Sequence, residues 1–130
     1  MSGVTVSEAG PVAGLIQIAI PAKKPETCAA FYQDILELPK LFETGGMSFF
    51  DAGGIRLMVG PAGNLLPGAG APIYFGTDDL RTSQRILSEK DVEFHPEPLI
   101  ADPSQTPPLA IWFFLDPEGN TLALMGPLRA

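Results

Sequence analysis

The sequence predicts an α+β domain of two β-α-β-β-β modules whose strands form a curved mixed sheet, a cup, with the helices on its outer face. Three observations carry this. Short stretches with a period of two recur between Pro- and Gly-rich turns, and each half of the chain holds one stretch with helical period. The two halves also match at their hairpins, where Phe49-Phe50-Asp51-Ala52-Gly53-Gly54-Ile55-Arg56-Leu57 parallels Phe113-Phe114-Leu115-Asp116-Pro117-Glu118-Gly119-Asn120-Thr121-Leu122, one residue longer in the turn. An internal duplication follows, with one module over about residues 14–66 and the other over about 71–127. Together they make one domain, 14–127, and residues 1–13 read as a loose arm.

In the first module, Ile16, Ile18 and Ile20 alternate with Leu15, Gln17 and Ala19, which predicts a strand with one core face. Pro25 suits a first helical turn and Glu26 suits the positive end of the helix dipole. The helix is expected to run to about Leu36, burying Cys28, Phe31, Tyr32, Ile35 and Leu36, and Pro39 stops it. Met47 to Phe50 and Ile55 to Val59 read as a hairpin around Gly53-Gly54. Pro61 to Ala71 has no period and reads as a linker.

The second module repeats the order. Ile73, Phe75 and Thr77 alternate with Tyr74 and Gly76, and Asp78 or Asp79 caps a helix to about Lys90 with Leu80, Ile86 and Leu87 on its apolar side. Val92-Glu93-Phe94 is expected to begin a strand. Five prolines between Pro96 and Pro108 are expected to forbid regular structure before the hairpin of Ile111 to Leu115 with Thr121 to Met125.

Composition bounds the function. The chain has 130 residues, 45% apolar and 18% charged, enough for one hydrophobic core and too apolar for disorder. A net charge of −7 without a basic stripe argues against nucleic acid and anionic membranes as partners. With 14 glycines and 14 prolines interrupting the apolar runs, no membrane span is expected. A single cysteine and an N-terminus without a signal-peptide pattern make a cytoplasmic location the expectation.

Three stretches carry a family resemblance: Ala30-Phe31-Tyr32-Gln33-Asp34-Ile35-Leu36-Glu37-Leu38, Tyr74-Phe75-Gly76-Thr77-Asp78-Asp79-Leu80, and Phe114-Leu115-Asp116-Pro117-Glu118-Gly119-Asn120-Thr121-Leu122-Ala123-Leu124. In this order the chain, over roughly Gly14 to Pro127, resembles the vicinal oxygen chelate superfamily of glyoxalases, bleomycin resistance proteins and extradiol dioxygenases. Glu37 stands where the family pattern has glycine. The resemblance implies metal-ligand positions at Gln17, at Arg56 or Met58, near Pro72 or Tyr74, and at Ala123. These residues lack the imidazoles and carboxylates that a divalent ion needs, so no metal and no cofactor are expected. The one histidine, His95, reads as a loop residue.

If the Ile16 parity packs under the helices, the opposite parity lines the cup. That set is Leu15, Gln17, Ala19, Arg56, Met58, Tyr74, Ala123 and Met125, and Trp112 and Phe114 are candidates to join it. Such a lining, apolar with an amide, a phenol and a guanidinium, suits a small organic ligand. The expected ligand-binding residues are therefore Gln17, Arg56, Met58, Tyr74, Trp112, Phe114, Ala123 and Met125, with none singled out as catalytic. The functional expectation is metal-free binding of a small organic molecule by a homodimer. The alternatives are a lyase, isomerase or dioxygenase with a non-standard site, and a regulatory subunit.

Overall fold

The computed structural model describes residues 10–130, so most of the arm expected over 1–13 lies outside the described residues. The first module runs β1 (Gln17–Ala22), α1 (Pro25–Ala30), β2 (Lys40–Thr44), β3 (Met47–Asp51) and β4 (Arg56–Pro61). The second repeats it as β5 (Ile73–Gly76), α2 (Leu80–Ser88), β6 (Leu99–Asp102), β7 (Leu109–Leu115) and β8 (Thr121–Pro127). Each module forms its own four-stranded mixed sheet, ordered β1-β4-β3-β2 and β5-β8-β7-β6. In both, the first strand lies parallel to the last, and the other pairings are antiparallel. The hairpins superpose as their sequences do, since Phe50 pairs with Leu57 as Phe114 pairs with Leu122, and Phe49 with Met58 as Phe113 with Ala123.

Several elements differ from the sequence expectation. Ile16 is not a core residue: β1 begins one residue later, and Leu15 and Ile16 are 71% and 69% exposed. Only the backbone of Ile16 is used, its carbonyl accepting from the Arg56 N–H at 2.9 Å. Helix α1 keeps α geometry to Ala30 and then widens into a π turn over Phe31–Ile35, closed by the Leu36 N–H on the Phe31 carbonyl. Glu37 follows at φ 58°, a left-handed conformation that a side chain resists by about 1 kcal/mol, and its carboxylate meets Lys90 Nζ of the second module at 2.8 Å. Strand β2 has no counterpart in the sequence reading because all five residues are exposed, so an edge strand leaves no alternation to read. The proline-rich segment does contain a strand, β6, flanked by Pro98 and Pro103. Prolines at the ends of an edge strand remove no ladder bond. Val92 to Phe94 is not a strand and makes one isolated bridge, Phe94 to Phe114. On α2, capped by Asp79 Oδ1 on the Thr82 N–H, Leu80 and Leu87 are buried but Ile86 is 44% exposed. Among the described residues no helix is long and apolar enough to cross a membrane.

The helix-facing sides of both sheets share one core. Ile20, Cys28, Tyr32, Phe50, Leu57 and Val59 of the first module join Leu80, Leu87, Trp112, Phe114, Leu122 and Leu124 of the second. Besides the Glu37–Lys90 pair, the modules are tied by the turn Asp116-Pro117-Glu118-Gly119-Asn120. The buried Asp116 accepts through Oδ1 from the Glu118 and Asn120 N–H groups at 2.8 and 2.9 Å. Its Oδ2 accepts from the Tyr32 hydroxyl at 2.7 Å, the Asn120 amide at 2.8 Å and the Cys28 thiol at 3.6 Å. Asn120 donates to the Pro21 carbonyl and accepts from the Gly68 N–H, and the Glu118 carboxylate spans the N–H groups of Lys23 and Lys24 at 2.9 and 2.8 Å. One turn thus holds the end of β1, the entry of α1 and the inter-module linker. Burial, followed by the adjacent Asp116 charge, pushes both the Tyr32 phenol and the Cys28 thiol far above their ordinary ranges, so both stay protonated as donors.

Tyr32→Phe removes a bond to a charged, buried acceptor and is expected to destabilise the fold by about 1.5–3 kcal/mol, read by urea denaturation. The Glu118 carboxyl is held below its ordinary range by the Lys23 and Lys24 N–H groups. Its contribution is therefore complete above the unfolded carboxylate range and is lost as the pH falls through the lowered folded value. Denaturation curves of Glu118→Gln taken from neutral to acid should accordingly show a shallower loss of stability than wild type.

Candidate functional site

Strand alternation turns one face of each sheet away from the shared core, and these open faces hold most of the expected site residues. On the first sheet, the parallel register of β1 and β4 sets Gln17 beside Arg56. Gln17 Oε1 accepts from Arg56 Nε at 3.0 Å. Phe49 of β3 pairs with Met58 of β4, and Phe42 of β2 pairs with Phe49, their rings stacked at 4.4 Å and 19°. The Arg56 guanidinium carbon lies 5.3 Å from the Phe49 centroid and 5.8 Å from that of Phe42, within cation–π range. Among the described residues Arg56 has no ion-pair partner. Asp51, opposite Arg56 across the β3–β4 ladder, accepts the Gly54 N–H within its own turn instead. The result is a half-buried arginine whose guanidinium is held by a neutral amide and two aromatic rings, with no acceptor on Nη1 or Nη2 among the described residues.

On the second sheet Tyr74, 46% exposed, meets Phe113 edge to face at 5.9 Å. Ala123 lies between them in the ladder and is fully covered, so it presents no surface to a ligand. Met125 follows on the same face, half-buried beside Ile111. Trp112 and Phe114 require correction. Both point into the core, at 9% and 2% exposure, packed around Phe94, and the Trp112 indole N–H donates to the His95 carbonyl at 2.7 Å. Their neighbours Ile111 and Phe113 take the open face, because alternate residues of a strand point to opposite sides.

The structure therefore assembles Gln17, Arg56 and Met58 on one sheet and Tyr74, Ala123 and Met125 on the other. Among the described residues four cavities stand out, and none is lined by any of these six side chains. The largest, about 640 Å³, is a cleft where Phe31 and Ile35 of the α1 segment face Phe94, His95 and the β7–β8 turn. His95 is exposed beside it, its Nδ1 turned to the Glu97 backbone. Asp102 is occupied by Ser104, whose hydroxyl and N–H hold its carboxyl below the ordinary range. Sequence reasoning missed Phe42 and Phe49 as site residues. Phe42 lies in the edge strand that has no period, whereas the ladder that places Met58 would also have placed Phe49.

A family model described as Glyoxalase/Bleomycin resistance protein/Dioxygenase superfamily matches residues 14–124. The chain belongs to this superfamily. No curated protein matches it. Among solved structures, the integron cassette protein VPC_CASS1 from the mobile metagenome of V. Pseudocholerae aligns with a TM-score of 0.74 at 18% identity, over 88% of this chain and 95% of that one. TnmS3, an antibiotic binding protein from Streptomyces sp. CB03234, aligns at 0.72 and 20% identity, over 89% and 97%. Lactoylglutathione lyase from Agrobacterium tumefaciens aligns at 0.70 and 18%, over 89% and 95%. At such identities the glyoxalase-like fold is shared and the chemistry is not thereby given.

The superfamily resemblance implies a divalent metal, and the donors present do not fit one. The mapped positions offer an amide, a guanidinium or thioether, a proline or phenol, and a methyl group. Among the described residues no three His, Cys, Asp or Glu side chains come together to hold an ion. What the first sheet offers instead is a fixed positive charge with two open donors beside an aromatic surface.

Proposed function

We propose that this superfamily member binds a small organic anion on the open face of its first sheet, using Arg56 in place of a metal centre. The observation that carries the reading is the Arg56 guanidinium, oriented by Gln17 and the stacked Phe42 and Phe49, with no carboxylate to neutralise it among the described residues. A charged donor left half-buried without a partner is stabilised by an incoming anion, and the aromatic pair and Met58 provide apolar contact for the organic body. Binding rather than turnover is favoured because the two side chains at the centre of this face, the Arg56 guanidinium and the Gln17 amide, are poor proton-transfer groups, and Asp51 is engaged by the Gly54 N–H. The antibiotic binding protein TnmS3, on the same fold, supports a binding role as one that this architecture accommodates.

The open faces also expose Phe42 and Tyr74, and Leu15 and Ile16 stand exposed just before β1. We infer that a second copy covers them, forming a homodimer that closes the ligand face. Sedimentation at tens of micromolar is expected to give a dimer, and a monomer there would remove this part of the reading.

A thermal-shift screen of charged organic compounds should find stabilisers among anions rather than cations. Arg56→Ala is expected to weaken those anions by about 1.5–3 kcal/mol, while Met58→Ala weakens anionic and neutral ligands alike. Stabilisation by cations, unchanged in Arg56→Ala, would overturn the proposal.

A further inference from the structure

The donors that Arg56 has left decide which anion it takes, an inference that rests on the binding role proposed above. A guanidinium offers five N–H donors in a rigid plane, arranged as an end-on fork of Nη1 and Nη2 and a side-on fork that includes Nε. Gln17 Oε1 occupies Nε at 3.0 Å, which removes the side-on fork and leaves the end-on one. The Phe42 and Phe49 rings, at 5.8 and 5.3 Å from the guanidinium carbon, further restrict how the plane turns. A carboxylate places two oxygens in one plane and matches that single fork bidentately.

Charge points the same way. No salt bridge pairs Arg56 among the described residues, and Asp51 stands opposite it across the ladder in a chain of net charge −7. One guanidinium offsets one negative charge, so a phosphomonoester, close to a dianion at neutral pH, brings a second charge that meets Asp51 instead of a cation. The body of the ligand is indicated by Phe42, which keeps 44% of its surface exposed although stacked on Phe49. A flat ring bound through its carboxylate at Arg56 covers that remaining surface, as aromatic pairs favour.

We infer that the ligand class is a planar aromatic monocarboxylate, held end-on by Arg56 with its ring against Phe42, and that Gln17 is the positioning residue that sets carboxylate over phosphate. The test is calorimetric titration of the full chain with naphthoate, naphthyl phosphate and cyclohexanecarboxylate. Wild type should bind naphthoate at least about tenfold more tightly than either of the others. Gln17→Leu, which frees Nε, should bring the naphthoate-to-phosphate ratio towards one, and Asp51→Asn, which retains an acceptor for Gly54, should improve the phosphate more than the carboxylate. Gln17→Glu should abolish binding of every anion by pairing with Arg56. Equal or tighter binding of the phosphate by wild type, or a ratio unchanged in Gln17→Leu, would overturn the inference while leaving the binding role intact if Arg56→Ala still weakens anion binding at least about tenfold. Naphthoate binding that is undiminished in Arg56→Ala, or no binding of any probe, would overturn both.

Discussion

The buried carboxylate of Asp116 is the interaction on which the arrangement of the two modules depends. It accepts from two N–H groups of its own turn, one amide of that turn, and a phenol and a thiol from α1 and the π turn that follows it. A carboxylate removed from water is tolerated only when its oxygens are saturated with donors, and half-satisfied it would disrupt the core around it. Because the donors come from both halves of the chain, the requirement is met in one relative placement of the modules. Glu118 and Asn120 extend the same turn to Lys23, Lys24, Pro21 and Gly68, so the helix entry, the end of β1 and the linker are set together.

That placement uses up the helix-facing sides of both sheets and leaves the other two sides for function. The first sheet became the more chemically distinctive of the two through its register. Parallel pairing of β1 with β4 brings an amide to a guanidinium, and the edge strand β2 adds an aromatic ring to the one already on β3. On the second sheet the equivalent ladder carries Tyr74, Ala123 and Phe113, which pack against one another and offer no fixed charge. The two modules thus differ in side chain at matching rungs, Met58 against Ala123 and Ala19 against Tyr74, while Phe49 and Phe113 are alike and the backbone pairing is unchanged.

The fold is shared by a lactoylglutathione lyase and an antibiotic binding protein, and by itself it does not decide between turnover and binding. The modules are held by the Asp116 turn and by the apolar core, neither of which is part of the open faces. Residues there are free of folding constraints to the extent that they touch only one another. Gln17, Arg56, Phe42 and Phe49 meet one another on that face, and the proposed specificity belongs to them.

The amino-acid sequence by itself determined the two-module plan, the parity of the buried strand positions and the turn chemistry. Each of these is written in local periods and in residues with fixed backbone preferences: Ile20, Leu57 and Leu122 are buried where strand alternation puts them, and Tyr32 where the helical period does. Edge strands were not legible, since β2 is exposed on both faces and β6 is framed by prolines, and neither leaves a period. The faces of Trp112 and Phe114 were misjudged because three consecutive aromatics carry no polar neighbour to mark the outward side. Only the tertiary structure decided that Asp116 binds Tyr32 across 84 residues of chain, that Arg56 meets Gln17 and forms no ion pair among the described residues, and that the expected cup residues divide between two sheets. These are contacts between segments far apart in sequence, and local pattern contains no record of which distant partner a side chain will meet.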